Sequence, residues 1–279
     1  MQNPIADPLV EDVVSSDVAA APVRLDVTEE GVAYVTLTNG ARKNAMDSIL
    51  ILAMTEVFET LKQSEHVRIV FLRGEGGTFS AGADLEWMRA AADRTQDDNR
   101  EDALTMAVML KRLTEIPALT VALVEGAAMG GGAGLVAACD MAIAVESAKF
   151  SFSEVRLGLI PATISPHVIR AIGPRHAKAL FATGKVFGAD HAREIGLVSE
   201  VVADEAALSA AQEKLAGDIM ACAPGAVGEA KALVDDLFGQ VIDDDVLVET
   251  AKRLAKRRVS DEGREGVIAF LERRKPSWS

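Results

Sequence analysis

Short apolar runs alternate with amphipathic stretches along this chain, and the alternation predicts most of its elements. Val23 to Val27 and Val32 to Thr38 flank the turn signal Glu29-Glu30-Gly31 and read as a hairpin. From Asp47 to about Lys62 the apolar residues recur at helical spacing, with Asp47 placed as the N-cap. Val67 to Arg73 (VRIVFLR) and Ala118 to Val124 are continuous apolar runs, the pattern of strands covered on both faces. Glycines crowd Gly74 to Gly77, a helix opens after Asp84, and a longer helix from about Arg100 to Glu115 stops at Pro117. Beyond the second run come a Gly-rich turn at Gly126 and Gly130 to Gly132, a small-residue helix at Ala133 to Ala138, and a strand at Met141 to Val145. This order implies an α/β fold of parallel strands joined by crossover helices.

After about Val202 the strands end. Asp204 to Ala221, Gly225 to Phe238, Asp243 to Lys256 and Asp261 to Arg273 all carry helical periodicity. The expected organisation is therefore a tail over 1–21, an α/β core over 22–202 and a helical part over 203–279 suited to oligomerisation. The tail is acidic and rich in Pro, Ala and Val, and reads as loose chain or as a short strand lying on a neighbouring subunit. It lacks the basic start and apolar core of a signal peptide, and no stretch approaches the roughly 20 apolar residues that span a bilayer. A cytoplasmic protein without a membrane partner is expected.

Composition narrows the chemistry. A formal net charge of −13 argues against a nucleic-acid partner, which needs a basic surface. Cys139 and Cys222 are too few for a disulfide framework and read as small buried residues. His66, His167, His176 and His191 show no metal-ligand spacing, and nothing suggests a nicotinamide, flavin or metal cofactor. The candidate chemistry lies at two junctions of like character, Phe79-Ser80-Ala81-Gly82-Ala83-Asp84-Leu85 and Ala128-Met129-Gly130-Gly131-Gly132-Ala133-Gly134. Each puts tiny residues where the chain leaves a strand and opens a helix. Helix starts leave N–H groups unpaired and carry partial positive charge, and tiny side chains let a ligand approach that backbone. Close packing explains either junction alone; the pair together suits an oxyanion site.

The ordered motifs FSAGADLEWM, EGAAMGGGAGLVAACDMAIA, AKFSFSEVRLGLIP and ATGKVFGADHAREIGLVSEVV resemble the crotonase (enoyl-CoA hydratase/isomerase) family, as does GVIAFLERRKPSW in the last helix. The resemblance implies a crotonase (ClpP-like) spiral of ββα units with an all-helical C-terminal part, assembled as a homotrimer or as a hexamer of two trimers. It also implies an acyl-CoA thioester substrate, CoA being part of the substrate rather than a cofactor. By position, Ala83 and Gly131 match the family's two oxyanion-hole donors, and Glu154 matches one of its two catalytic glutamates. Without the resemblance, Glu154 reads equally as a first-turn helix carboxylate before Val155-Arg156. The second glutamate falls on Gly134, which carries no side chain to move a proton. Ser151, Ser153, Thr163 and Ser165 are the nearest substitutes, suited to orienting water. A further departure follows Pro161, where many relatives have a Gly-rich stretch and this chain reads Ala162-Thr163-Ile164-Ser165-Pro166-His167.

Taken with SAGADL, GGGAGL and SEVRLGLIPATISP, these departures most resemble the methylglutaconyl-CoA and terpenoid-type glutaconyl-CoA hydratases of leucine and acyclic-terpene breakdown. Gly134 is then expected to leave room for a branched or carboxylated acyl chain. The acidic chain needs local basic clusters to hold CoA phosphates, and has them at Arg42-Lys43 and from Arg273 to Lys275. Arg42 or Lys43 is a candidate for the pyrophosphate or adenine end. Phe270 and Arg273 align with positions that help hold CoA, often from a neighbouring subunit. Ala45, Ala81, Asp84, Leu85 and Met129 complete the expected substrate contacts, although each charge reads as well as solvated surface and Asp84 reads first as an N-cap. Hydration of a 2-enoyl-CoA is the expected activity. Enoyl-CoA isomerisation by a single glutamate and acyl-CoA binding without catalysis remain as alternatives.

Overall fold

The computed structural model describes residues 21–279, so the expected tail lies outside the described residues except for Ala21. β1 (Val23–Val27) and β2 (Val32–Leu37) form the antiparallel hairpin. A 3-10 turn at Gly40–Arg42 leads to α1 (Ser48–Gln63), β3 (Ile69–Gly74), α2 (Leu85–Ala92) and α3 (Gln96–Thr114). β4 (Leu119–Val124), β5 (Ala127–Met129), α4 (Gly131–Ala138), β6 (Met141–Val145), β7 (Lys149–Ser151) and α5 (Ser165–Thr183) follow. β8 (Phe187–Gly188), α6 (Ala189–Glu194) and β9 (Glu200–Val202) complete the α/β part, and α7 (Glu205–Met220), α8 (Pro224–Leu237), α9 (Asp244–Arg258) and α10 (Asp261–Glu272) the helical part.

A six-stranded sheet runs in the order β1-β2-β3-β4-β6-β9, parallel from β2 onward, and the apolar runs of β3 and β4 lie at its covered centre. A second sheet joins β5, β7 and β8, and Ser80 extends it through a parallel bridge to Ala128. Successive turns of the chain thus repeat one plan: a strand in the large sheet, a short strand or bridge in the small one, then a helix. The strands of the small sheet span two or three residues, too short for any hydrophobic period to announce them. α3 begins four residues before the predicted Arg100, because Thr95 and Asp98 close a capping box around a first turn too polar to show a period.

The helical part is tied to the core at specific points. α7 packs on β3 and β6 with Leu208 buried. On α8, the Lys231 ammonium donates to the carbonyls of Ile116 and Ala118 at 2.7 Å each and pairs with Asp140 at 2.6 Å. Asp140 also accepts from the Thr120 N–H and hydroxyl, so this carboxylate ties β4 to α8. Cys139 is half-buried and Cys222 is exposed just beyond α7, which corrects the expectation that both are buried. No helix among the described residues is long and apolar enough to cross a membrane, and none of their His, Cys, Asp and Glu side chains group as metal ligands.

Candidate active site

The two Gly/Ala junctions lie side by side. Backbone bonds run from Ser80 N to Ala127 O (2.9 Å) and from Met129 N to Ser80 O (3.0 Å). On the other flank the segment Lys43 to Met46 braces the first junction: Ala81 N donates to Lys43 O, Met46 N to Gly82 O and Asp84 N to Met46 O, at 2.7 to 2.9 Å. The approach is tight enough to require glycine at position 82, where φ is +89° and a β-carbon would stand 2.8 Å from Met129 O. Arg42, Lys43, Ala45, Ala81, Ala83 and Asp84 are thereby brought together, with Met129 alongside.

Among the described residues, neither the Ala83 nor the Gly131 N–H has an acceptor. Gly131 is the first residue of α4, whose Gly130 N-cap has no side chain to satisfy the end. Ala83 precedes Asp84, whose carboxylate caps α2 by accepting from the N–H groups of Glu86 and Trp87. The side chains of Met46 and Met106 close over Gly131, so that face is apolar.

Glu154 opens the 3-10 turn Glu154–Leu157 directly after β7, so it is a first-turn residue and also faces the junction. Its Oε1 lies 3.2 Å from where a Gly130 β-carbon would be, while its Oε2 is buried with no hydrogen-bond partner. Burial pushes this carboxyl above the usual carboxylate range, and its own backbone N–H offsets part of that effect. A half-dry carboxyl with an unengaged oxygen, beside two unpaired amides, can hold or move a proton next to a developing oxyanion.

The remaining candidates divide. The Ser151 hydroxyl donates to Gly184 O and the Ser165 hydroxyl to Ala162 O, so both already serve the backbone. Arg42 pairs with Asp84 at 2.6 Å and Glu86 at 3.0 Å, whereas Lys43 is exposed with no ion pair among the described residues. Leu85 is exposed at the rim. Phe270 is 82 % exposed on α10, and Arg273 forms the left-handed C-cap of that helix, which packs chiefly on α9. The expectation of acyl room at Gly134 is corrected. A β-carbon there would stand 2.8 Å from Ile164 Cβ and nearer still to its Cγ2, so the space is already filled. Sequence reasoning passed over Ile164, Met46, Met106 and Trp87. Trp87 has a buried indole N–H with no acceptor, and its only sequence signal is its place in FSAGADLEWM.

A ββα spiral carrying two amide-lined junctions and a helical C-terminal part is the crotonase architecture, shared with solved structures over most of the chain. The chain belongs to the enoyl-CoA hydratase/isomerase family, whose sequence model matches residues 27–279. A crystal structure of an enoyl-CoA hydratase from Shewanella pealeana superposes with a TM-score of 0.88 at 39 % identity, covering 92 % of this chain and 96 % of that one. Pseudomonas aeruginosa AtuE superposes with the same TM-score of 0.88 at 34 % identity, over 92 % of this chain and 99 % of that one. Among curated relatives, "Enoyl-CoA hydratase AKT6-1" of Alternaria alternata is 31 % identical, covering 88 % of this chain and 80 % of its own length.

Proposed function

We propose that this family member hydrates a 2-enoyl-CoA with Glu154 as its one acid–base group. The observation that carries the reading is the buried, unpartnered Oε2 of Glu154 beside the free amides of Ala83 and Gly131. The Glu154 carboxylate takes a proton from water as the water oxygen bonds to C3 of the enoyl thioester. The C2=C3 electron pair moves to form the enolate, whose oxygen accepts from the Ala83 and Gly131 N–H groups. One such donor contributes about 3–4 kcal/mol to the transition state. The Glu154 carboxyl then returns the proton to C2 and leaves a 3-hydroxyacyl-CoA. The steps move water and protons alone, so they call for no redox group or metal, and CoA enters with the substrate.

A branched or carboxylated, methylglutaconyl-like acyl group belongs to the same proposal. With Gly134 closed off, its support is the subfamily resemblance alone. A homotrimer or hexamer is also proposed, supported by apolar side chains left exposed on and beside α8 to α10, Phe238, Ile242, Val248 and Phe270 among them. Incubation with crotonyl-CoA and with 3-methylglutaconyl-CoA, followed by mass spectrometry, tests the reaction. One added water on the second substrate, abolished in Glu154→Gln, is expected; no water on either defeats hydration. The lack of a second carboxyl at Gly134 gives one rival real support. Isomerisation needs a single base, and a 3-enoyl-CoA turning into a 2-enoyl-CoA in heavy water before any hydroxyacyl product would establish it.

A further inference from the structure

Gly130 caps α4 at its N-terminus and Gly134 lies one turn further along, its N–H donating to Gly130 O at 3.0 Å. A β-carbon on Gly130 would meet Glu154 Oε1 at 3.2 Å, and one on Gly134 would meet Ile164 Cβ at 2.8 Å. The Glu154 carboxyl thus stands at the N-cap end of α4 and the Ile164 side chain against the helix one turn further along. Ile164 is 1 % exposed, and the turn after Pro161 holds it in place: Ser165 donates to Ala162 O through both its N–H (3.2 Å) and its hydroxyl (2.8 Å).

Charged groups nearby point elsewhere. α4 (GGAGLVAA) has no titratable side chain, Arg156 turns to Gly184, and Arg170 of α5 pairs with Asp235 at 2.9 Å. The half-buried His167 of α5 is kept neutral by its own burial and by Arg170. None of these sets the titration of Glu154, which burial and its own backbone govern.

We propose that Ile164 is a positioning residue for Glu154: it fills the place a side chain at position 134 would take, walls the carboxyl from water on that flank and denies it a second carboxyl partner. Gly134 and Ile164 then form one size-exchanged pair, in which bulk absent from α4 is supplied by the loop before α5. Both departures from the family pattern, at position 134 and after Pro161, follow from this one exchange. Its consequence for turnover rests on the hydratase reading; the wall itself does not.

Infrared difference titration of the Glu154 carboxyl, with the band assigned by its loss in Glu154→Gln, reads the wall without substrate. Ile164→Ala admits water, so the midpoint is expected to fall toward 4.5 and the acid limb of kcat/KM to move down with it. Ile164→Val removes one methyl, is gentle on the fold and shifts the midpoint the same way by less. Gly134→Glu alone is expected to lower the melting temperature, and Gly134→Glu/Ile164→Gly to regain it, with two carboxyls titrating in separate steps. An unmoved Glu154 midpoint in the folded Ile164 variants, or a Gly134→Glu protein as stable as its parent, overturns the proposal. A moved midpoint in an enzyme that hydrates neither substrate would keep the wall and defeat the hydratase reading.

Discussion

Glu154 has to be both dry and ionised to work as a base, and those two demands oppose each other. Its folded-state proton affinity is raised by burial above the ordinary carboxylate value of 4.5. The stability linked to that group is fully present below the unfolded value and is lost as pH rises through the folded one. Near neutral pH the ionised carboxyl therefore costs stability, and an uncharged isostere removes that cost. Glu154→Gln is expected to lose roughly 10³-fold in turnover and to melt at a higher temperature than the parent at pH 7–8. The stabilisation should vanish near pH 4, where both proteins carry an uncharged group. Calorimetry across that range checks it, and a variant less stable at every pH would contradict the cause assigned to the shift. Glu154, Ala83 and Gly131 were singled out in the sequence through the resemblance of their local motifs to the family, Glu154 by itself reading equally as a first-turn helix carboxylate. Ile164 was not: its meaning depends on a contact with Gly134, thirty positions earlier on another element, and an apolar residue after a proline carries no local signal.

α2 holds the Ala83 amide in place through its cap. Asp84 accepts from Glu86 and Trp87 and is itself paired with Arg42, so one carboxylate joins the helix start to the Lys43–Met46 brace. Asp84→Ala would leave those two N–H groups and the guanidinium without this partner. A loss of about 1–2 kcal/mol is expected in urea denaturation, together with a fall in turnover larger than in thioester affinity, because the Ala83 amide, the proposed oxyanion donor, is displaced while the rest of the site stands. Equal losses in both would show the cap serving the fold alone. Helices with sharp caps, such as α1 behind Asp47 and α2 behind Asp84, were readable from sequence. The three-residue strands β5 and β7 were not, although they set the junctions side by side. Such strands are held by register with neighbours that only the folded spiral supplies.

At the scale of the molecule the helical part presents an imbalance. Phe238, Val241, Ile242, Val248, Phe270 and Leu271 are all exposed on or beside α8, α9 and α10, and a separate groove of about 840 Å³ between those helices is lined by Leu233, Leu254 and Val267 among others. Scattered apolar residues are normal on a surface, but a run of large ones on consecutive elements marks a contact face. A stable interface buries roughly 1,200–2,000 Å², and a helical face of this extent is the obvious contributor. If this face joins the proposed homotrimer or hexamer, the protein sediments at three or six times the chain mass, and Ile242→Asp with Phe270→Asp is expected to shift it to monomer while the melting of the α/β core is preserved. The same variant separates two roles of α10. If Phe270 and Arg273 reach the CoA of a neighbouring subunit, dissociation weakens CoA binding while the Glu154 carboxyl titrates as before, since its burial comes from elements of its own chain. A monomer that binds CoA as tightly as the assembly would confine the whole site to one subunit and leave the exposed Arg42 and Lys43 as the cations beside it.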